Sequence, residues 1–453
     1  MLANSSLLFR LNLVVLLSYN SIQCVPFQCN SMDASCSASN LLLTLQPPGN
    51  LGNKQWDKLF GVSGGITAAV GIKADLSGNT YTTGFTNGNL DGITLSGSQD
   101  LLITKYDSIG NKVWTRLLGA SGVQTSPNSI TQDSQGNLYS AGSVTGNLDG
   151  QTLTGNQDLF VTKYDTSGNK QWTRLLGYAG SITVSYGITS DSMGNIYATG
   201  STNGDIDGQI HTGALDLFLI KYDNLGNRKW TRLLGVAGAN TTVAAAATDT
   251  QGNIYVTGLT TGNLDGQTLK GSSDLFVVKY DSSGVKQWTR LLGAGTASGR
   301  GIASDPSGFV YVSGNTSTSV DGETVTGYQD LVIVKYDSLG NKHWTRLLGA
   351  VSTNTYTLGL CSDPFGYLYA TGYTDGKLGG ESLTGSTDLF VTKYNGSGDR
   401  QWVRLLGAAG STANSYGITS DNLGNIFISG FTTGNLDGLS LVGTQDGFIV
   451  KYQ

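Results

Sequence analysis

The chain has 453 residues, enough for two or three ordinary domains or for one large β architecture. Gly contributes 65 residues and Pro only 6, which excludes a disordered Pro/Gly tract, and charged residues are sparse at 13%. The net charge is −5 with Lys and Arg spread evenly along the chain, so no basic patch exists to displace counterions, and nucleic-acid binding is excluded.

Residues 1–23 (MLANSSLLFRLNLVVLLSYNSIQ) place one positive charge, Arg10, before the apolar stretch Leu11–Leu17, which Asn12 interrupts. That stretch is too short to span a bilayer and fits the core of a signal peptide. Cys24 follows directly. The order resembles the lipobox of bacterial lipoproteins, which implies lipidation of Cys24, although Gln23 stands where that family has a small residue. The expected address is the cell envelope, as an outer-membrane or surface lipoprotein held by the lipid anchor only. Plain secretion and a cytoplasmic location are the alternatives. Residues 24–52, with Pro47-Pro48, read as a tether. Whether Cys29 and Cys36 pair is not decided by their spacing.

From residue 53 onward one motif recurs seven times. The seven Trp (Trp56, Trp114, Trp172, Trp230, Trp288, Trp344 and Trp402) are separated by five intervals of 58 residues and one of 56. In a typical copy Gly187–Asp191 reads as a short strand, Ser192-Met193-Gly194-Asn195 as a turn, and Ile196–Thr199 as a second strand. Asp158–Tyr164 is a third strand, Asp165–Asn169 another turn and Lys170–Leu176 a fourth. No segment carries a 3.6-residue apolar period long enough for a helix. Four strands joined as a meander make one propeller blade. The first copy is present only as its last strand, residues 53–60, and the final copy, ending at Gln453, lacks that strand alone. The expectation is an all-β, seven-bladed propeller over residues 53–453, closed by the N-terminal strand completing the last blade, because closure removes the open sheet edges.

The pattern G-I-x-x-D-x-x-G-N-I-Y-x-T-G, followed by D-L-F-x-x-K-Y-D-x-x-G-N-x-x-W, resembles the bacterial SBBP β-propeller repeat family over nearly the whole of residues 53–453. The resemblance implies the fold and frequent export. It implies little about activity, because propellers host many functions.

The Asp residues of the D-x-x-G-N turns (Asp133, Asp191, Asp249, Asp305 and Asp421 among them) are expected to cap their own turns. On the opposite face, Leu148-Asp149-Gly150-Gln151 signals a two-residue hairpin turn in each blade. Asp205-Ile206-Asp207-Gly208 also looks like a fragment of a calcium loop, but no copy supplies the six or more oxygens such a site needs. Blade six breaks the hairpin pattern with Lys377-Leu378-Gly379-Gly380. No metal site, cofactor or catalytic residue is expected: the two His, His211 and His343, fall at different repeat positions, and no nucleophile or phosphate-loop motif occurs. Cys361, where sister copies have Thr189 and Thr419, is expected to be an inert thiol with nothing electropositive beside it.

One position varies freely within otherwise uniform repeats: Val70, Asn128, Tyr186, Ala244, Arg300, Leu358 and Tyr416, just before the expected innermost strand. Loop drift accounts for such variation, and so does a ligand patch in which Tyr186, Arg300 and Tyr416 are the binding residues. The expected function is a monomeric, non-enzymatic propeller presenting a surface for a protein or glycan ligand. The alternatives are a carbohydrate-active or other hydrolytic propeller enzyme, and a structural envelope spacer.

Overall fold

The structure, a computed structural model, describes residues 52–453; the signal segment and Cys24 lie outside the described residues. Seven antiparallel sheets of four strands surround a common axis. Blade three shows the pattern, with strands Thr183–Ser190, Ile196–Thr202, Asp216–Tyr222 and Arg228–Leu234, termed a to d from the axis outward. Strand c (Asp216-Leu-Phe-Leu-Ile-Lys-Tyr222) is packed on both faces and so reads as a continuous apolar run, whereas the outermost strand keeps its first two residues in solvent. The cores lie between blades. Tyr139, Leu159 and Val161 of blade two pack against Ile188, Ile196, Phe218 and Ile220 of blade three. Burial of each such side chain contributes about 1.5–3 kcal/mol.

Two polar systems tie neighbouring blades. At the outer edge, Arg116 lies over its own Trp114 ring, 5.2 Å from the centroid, and donates to the Ser167 and Gly168 carbonyls of the next blade's c–d turn. Gly168 combines a φ of +78° with a seat directly against the Trp114 ring, where a Cβ would come within 3.0 Å; only glycine meets both demands cheaply. Near the axis, hydroxyls of strand a donate to the preceding blade's carbonyls: Ser190 to Gln132, Thr248 to Ser190, Ser304 to Thr248, Ser362 to Ser304 and Ser420 to Ser362, at 2.7–2.9 Å.

The ring closes as expected. Lys54–Phe60 pairs antiparallel with Asp446–Tyr452, and Trp56 faces Lys451 as Trp172 faces Lys163. Asn53 and Gln453 exchange both backbone hydrogen bonds, each 2.9 Å. Gly52 sits against the Trp402 ring of blade six, reproducing the Gly168–Trp114 contact.

The innermost strand differs from expectation. It runs Thr183–Ser190 rather than starting at Gly187, and the variable residue lies inside it, not before it. The reason is a β-bulge: the register shifts between Ser185 and Gly187, leaving Tyr186 as the extra residue. The same shift spans Val70, Asn128, Ala244, Arg300, Leu358 and Tyr416.

Candidate ligand site in the central channel

The seven a strands enclose a cavity of about 1050 Å³ along the axis. A bulge re-aims the side chain of its extra residue. Repeated once per blade, it sets Val70, Asn128, Tyr186, Ala244, Arg300, Leu358 and Tyr416 around this one channel. The three expected binding residues are thus brought into a single site, with Tyr186 40% exposed, Arg300 exposed and Tyr416 partly buried. Next to them, Tyr356 and Tyr373 pair across blade six at 5.1 Å, and Tyr416 stacks on Phe431 at 5.8 Å. Burial raises the Tyr373 phenol, and so do Tyr356 and Tyr416, while the Arg300 charge opposes them. Blades five to seven therefore contribute an arginine among aromatic rings.

Three residues further along strand a stands a second column: Lys73, Thr131, Thr189, Ala247, Ala303, Cys361 and Thr419. Lys73 is the one long side chain in it. Comparison of this column in the sequence singled out Cys361 and passed over Lys73, which the same comparison exposes. The expectation of no positive charge near Cys361 is corrected, because the Lys73 ammonium, from blade one, acts on the thiol. Burial still prevails: it pushes the Cys361 thiol up, Asp363 adds to the rise, and Lys73 only opposes it. Burial likewise holds the Lys73 ammonium below the usual lysine range.

The channel ends at the seven a–b turns, each headed by an Asp. Asp133 accepts from the backbone N–H groups of Gln135 and Asn137 through one oxygen, and from the Asn137 amide and the Tyr139 hydroxyl through the other. Asp191 and Asp249 repeat this arrangement, and Asp305 and Asp421 keep its backbone bond. The expected turn-capping role is what these carboxylates perform.

On the opposite face the hairpin turns are present. Leu148 and Gln151 exchange backbone hydrogen bonds of 3.1 and 2.9 Å, with φ of +53° at Asp149 and +74° at Gly150. The Asp149 carboxylate pairs with Lys170 of its own blade. In the calcium-like fragment, Asp207 accepts from Thr231 at 2.7 Å and pairs with Arg228, while Asp205 accepts from the backbone and ring of His211. These carboxylates are therefore taken by the protein's own donors. His343 lies on the outer strand of blade five, apart from His211 on the hairpin of blade three. The sequence reading assigned no part to the strand-c carboxylates. Asp158, fully buried, accepts from the Thr154 and Gly155 N–H groups at 2.8 Å and so fastens the hairpin loop to the sheet. An Asp at this position in all seven copies, always at the head of an apolar strand, is the signal that points to it.

The SBBP family, a β-propeller repeat, matches residues 113–149, 171–207, 229–265, 287–319, 343–379 and 401–437. The chain is an SBBP-repeat protein. Each match runs from the outer strand of one blade through the second strand of the next, and five of the six reach its hairpin turn. This SBBP propeller is similar to the regulatory protein FlaEY of Caulobacter vibrioides, with 27% identity over 85% of the chain and 38% of the relative. It is also similar to an uncharacterized WD repeat-containing protein of Acanthamoeba polyphaga mimivirus, with 25% identity over 62% of the chain and 27% of the relative. The chain thus spans less than two-fifths of the length of either relative. Among solved structures, a chain of a mitotic checkpoint complex aligns over 95% of this chain and 99% of its own, at 13% identity and a TM-score of 0.49.

Proposed function

We propose that this SBBP propeller is a non-enzymatic binding module, exported and anchored through lipid on Cys24, that takes a protein or glycan ligand into the hairpin-face mouth of its channel. The reading rests on one observation: a bulge in every inner strand aims a side chain at one channel, and those seven residues differ while the blades that carry them are nearly uniform. Tyr and Arg, the types enriched at binding hot spots, stand at three of the seven positions. The names of the two relatives, a regulatory protein and a WD repeat-containing protein, accord with a scaffold rather than a catalyst.

The test is a combined glycan and protein array probed with the full chain, followed by calorimetry on each hit. One binding event per chain is expected, weakened about tenfold or more by Tyr186→Ala and by Tyr416→Ala. Several equivalent events per chain would place binding on the repeated hairpins instead. Turnover of a bound glycan would favour the hydrolytic alternative, and an array with no hits would favour the spacer. Fatty-acid labelling that persists in Cys24→Ser would overturn the anchor.

A further inference from the structure

Two cations line the channel, Arg300 in the bulge column and Lys73 three residues further in, about 10 Å along the axis at a strand rise of about 3.3 Å per residue. Neither side chain takes part in a hydrogen bond or ion pair among the described residues. The channel's carboxylates are the seven turn Asp, and all of them are occupied by donors of their own turns. Those donors are neutral and leave the carboxylates charged, so the two cations lack a direct partner while the turn end of the channel stays negative, with Arg300 the farther of the two from it. The field also has a direction. Seven carboxylates ring the turn end, so an anion is repelled there and admitted at the hairpin end, past Tyr186, Arg300 and Tyr416.

Resting on the channel reading above, we propose that the ligand is an acidic oligosaccharide, with carboxylates meeting Arg300 and Lys73 and a sugar face lying on the Tyr186 and Tyr416 rings. The cavity suits a short oligomer, since sites for small ligands occupy about 300–1,000 Å³. An acidic peptide fits less well. An extended peptide binds by adding to a free strand edge, and five carbonyls along the inner edges already accept from Ser or Thr hydroxyls of the next blade. Hydroxyl-rich ligands need no such edge.

The full chain is titrated calorimetrically with a tetrauronate, the neutral tetrasaccharide of the same linkage, a Glu-rich peptide and inorganic phosphate. The tetrauronate is expected to bind with one site per chain, at least about tenfold more tightly than the other three. Lys73→Met and Arg300→Gln should each weaken it about tenfold or more, and Lys73→Arg should restore most of the loss. Melting curves matching the parent show that the variants are folded. Equal affinity for the neutral sugar, a tetrauronate indifferent to Lys73→Met in a folded protein, phosphate binding as tightly, or no tetrauronate binding overturns the proposal. Preference for the Glu-rich peptide overturns it as well. A neutral sugar or peptide that binds and is lost in Tyr186→Ala leaves the channel reading standing. Binding unaffected by both Tyr186→Ala and the channel-filling Ala303→Trp removes that reading too.

Discussion

The buried Asp158 carboxylate illustrates how a single side chain fixes a loop. Among the described residues no cation pairs with it; two backbone N–H groups that the hairpin loop would otherwise leave unpaired supply its hydrogen bonds. Asp158→Ala removes both at once, and leaving two such donors unsatisfied costs about 2–4 kcal/mol. The expected result is a lowering of that size in the unfolding free energy measured by chemical denaturation, whereas Asp149→Ala, which loses a partly exposed ion pair with Lys170, should cost under about 1 kcal/mol. If the two variants cost the same, the fastening role of Asp158 is wrong. At this scale the turn carboxylates were legible, because an Asp three residues before Gly-Asn carries its partners in the adjacent sequence. Lys73 was legible only with the seven copies aligned, because its meaning lies in what six other blades place at the same height.

The hairpin keeps its turn when its side-chain chemistry changes, and blade six shows how. In blade three Asp207 accepts from Thr231 at 2.7 Å, and Asp265 and Thr289 of blade four do the same. Blade six has Gly379 for the Asp and Val403 for the Thr, so both halves of the contact are missing together. The turn survives: Gly379 and Gly380 keep positive φ, and Leu378 and Glu381 exchange hydrogen bonds of 3.2 and 3.0 Å. The break expected from the sequence is thus chemical and not conformational, since Gly-Gly adopts the Asp-Gly turn without its side chain. A Cβ at Gly379 would stand 2.5 Å from Val403 Cγ2. Gly379→Asp and Val403→Thr should each destabilise alone, one by crowding and the other by burying an unpaired hydroxyl. Together they should restore the pair, with a favourable coupling of about 1 kcal/mol in a double-mutant cycle. Additive costs would show that the two sites do not communicate. The inner-strand bulges were beyond the sequence for a related reason. A bulge is a mismatch in register between two strands, and each strand read singly contains no sign of it.

Closure of the ring is a property of the whole molecule, and it was legible early because the repeat count leaves a lone strand at the first copy and a last copy one strand short. Phe60, only 4% exposed, joins the core formed by Phe427, Ile449 and residues of blade one. Emptying such a site costs about 3–5 kcal/mol against a typical domain stability of about 5–15. Deleting residues 1–61 should therefore destabilise or aggregate the protein, and hydrogen exchange should accelerate at the amides of Asp446–Tyr452 that bond to Lys54–Phe60. Deleting residues 1–50 should do neither. Exchange in residues 446–452 that is blind to the loss of residues 51–61 would refute closure. The pairing of Asn53 with Gln453 has a consequence of another kind. A polypeptide that enters at residue 53 and leaves at residue 453 enters and leaves the sheet at adjacent points of one outer strand pair. The propeller can thus be spliced into a longer chain as a cassette, its two flanks meeting side by side as if nothing stood between them. By the same geometry a short linker across those ends allows circular permutation, with new termini cut into any blade-to-blade crossover and all seven blades then sealed by continuous chain.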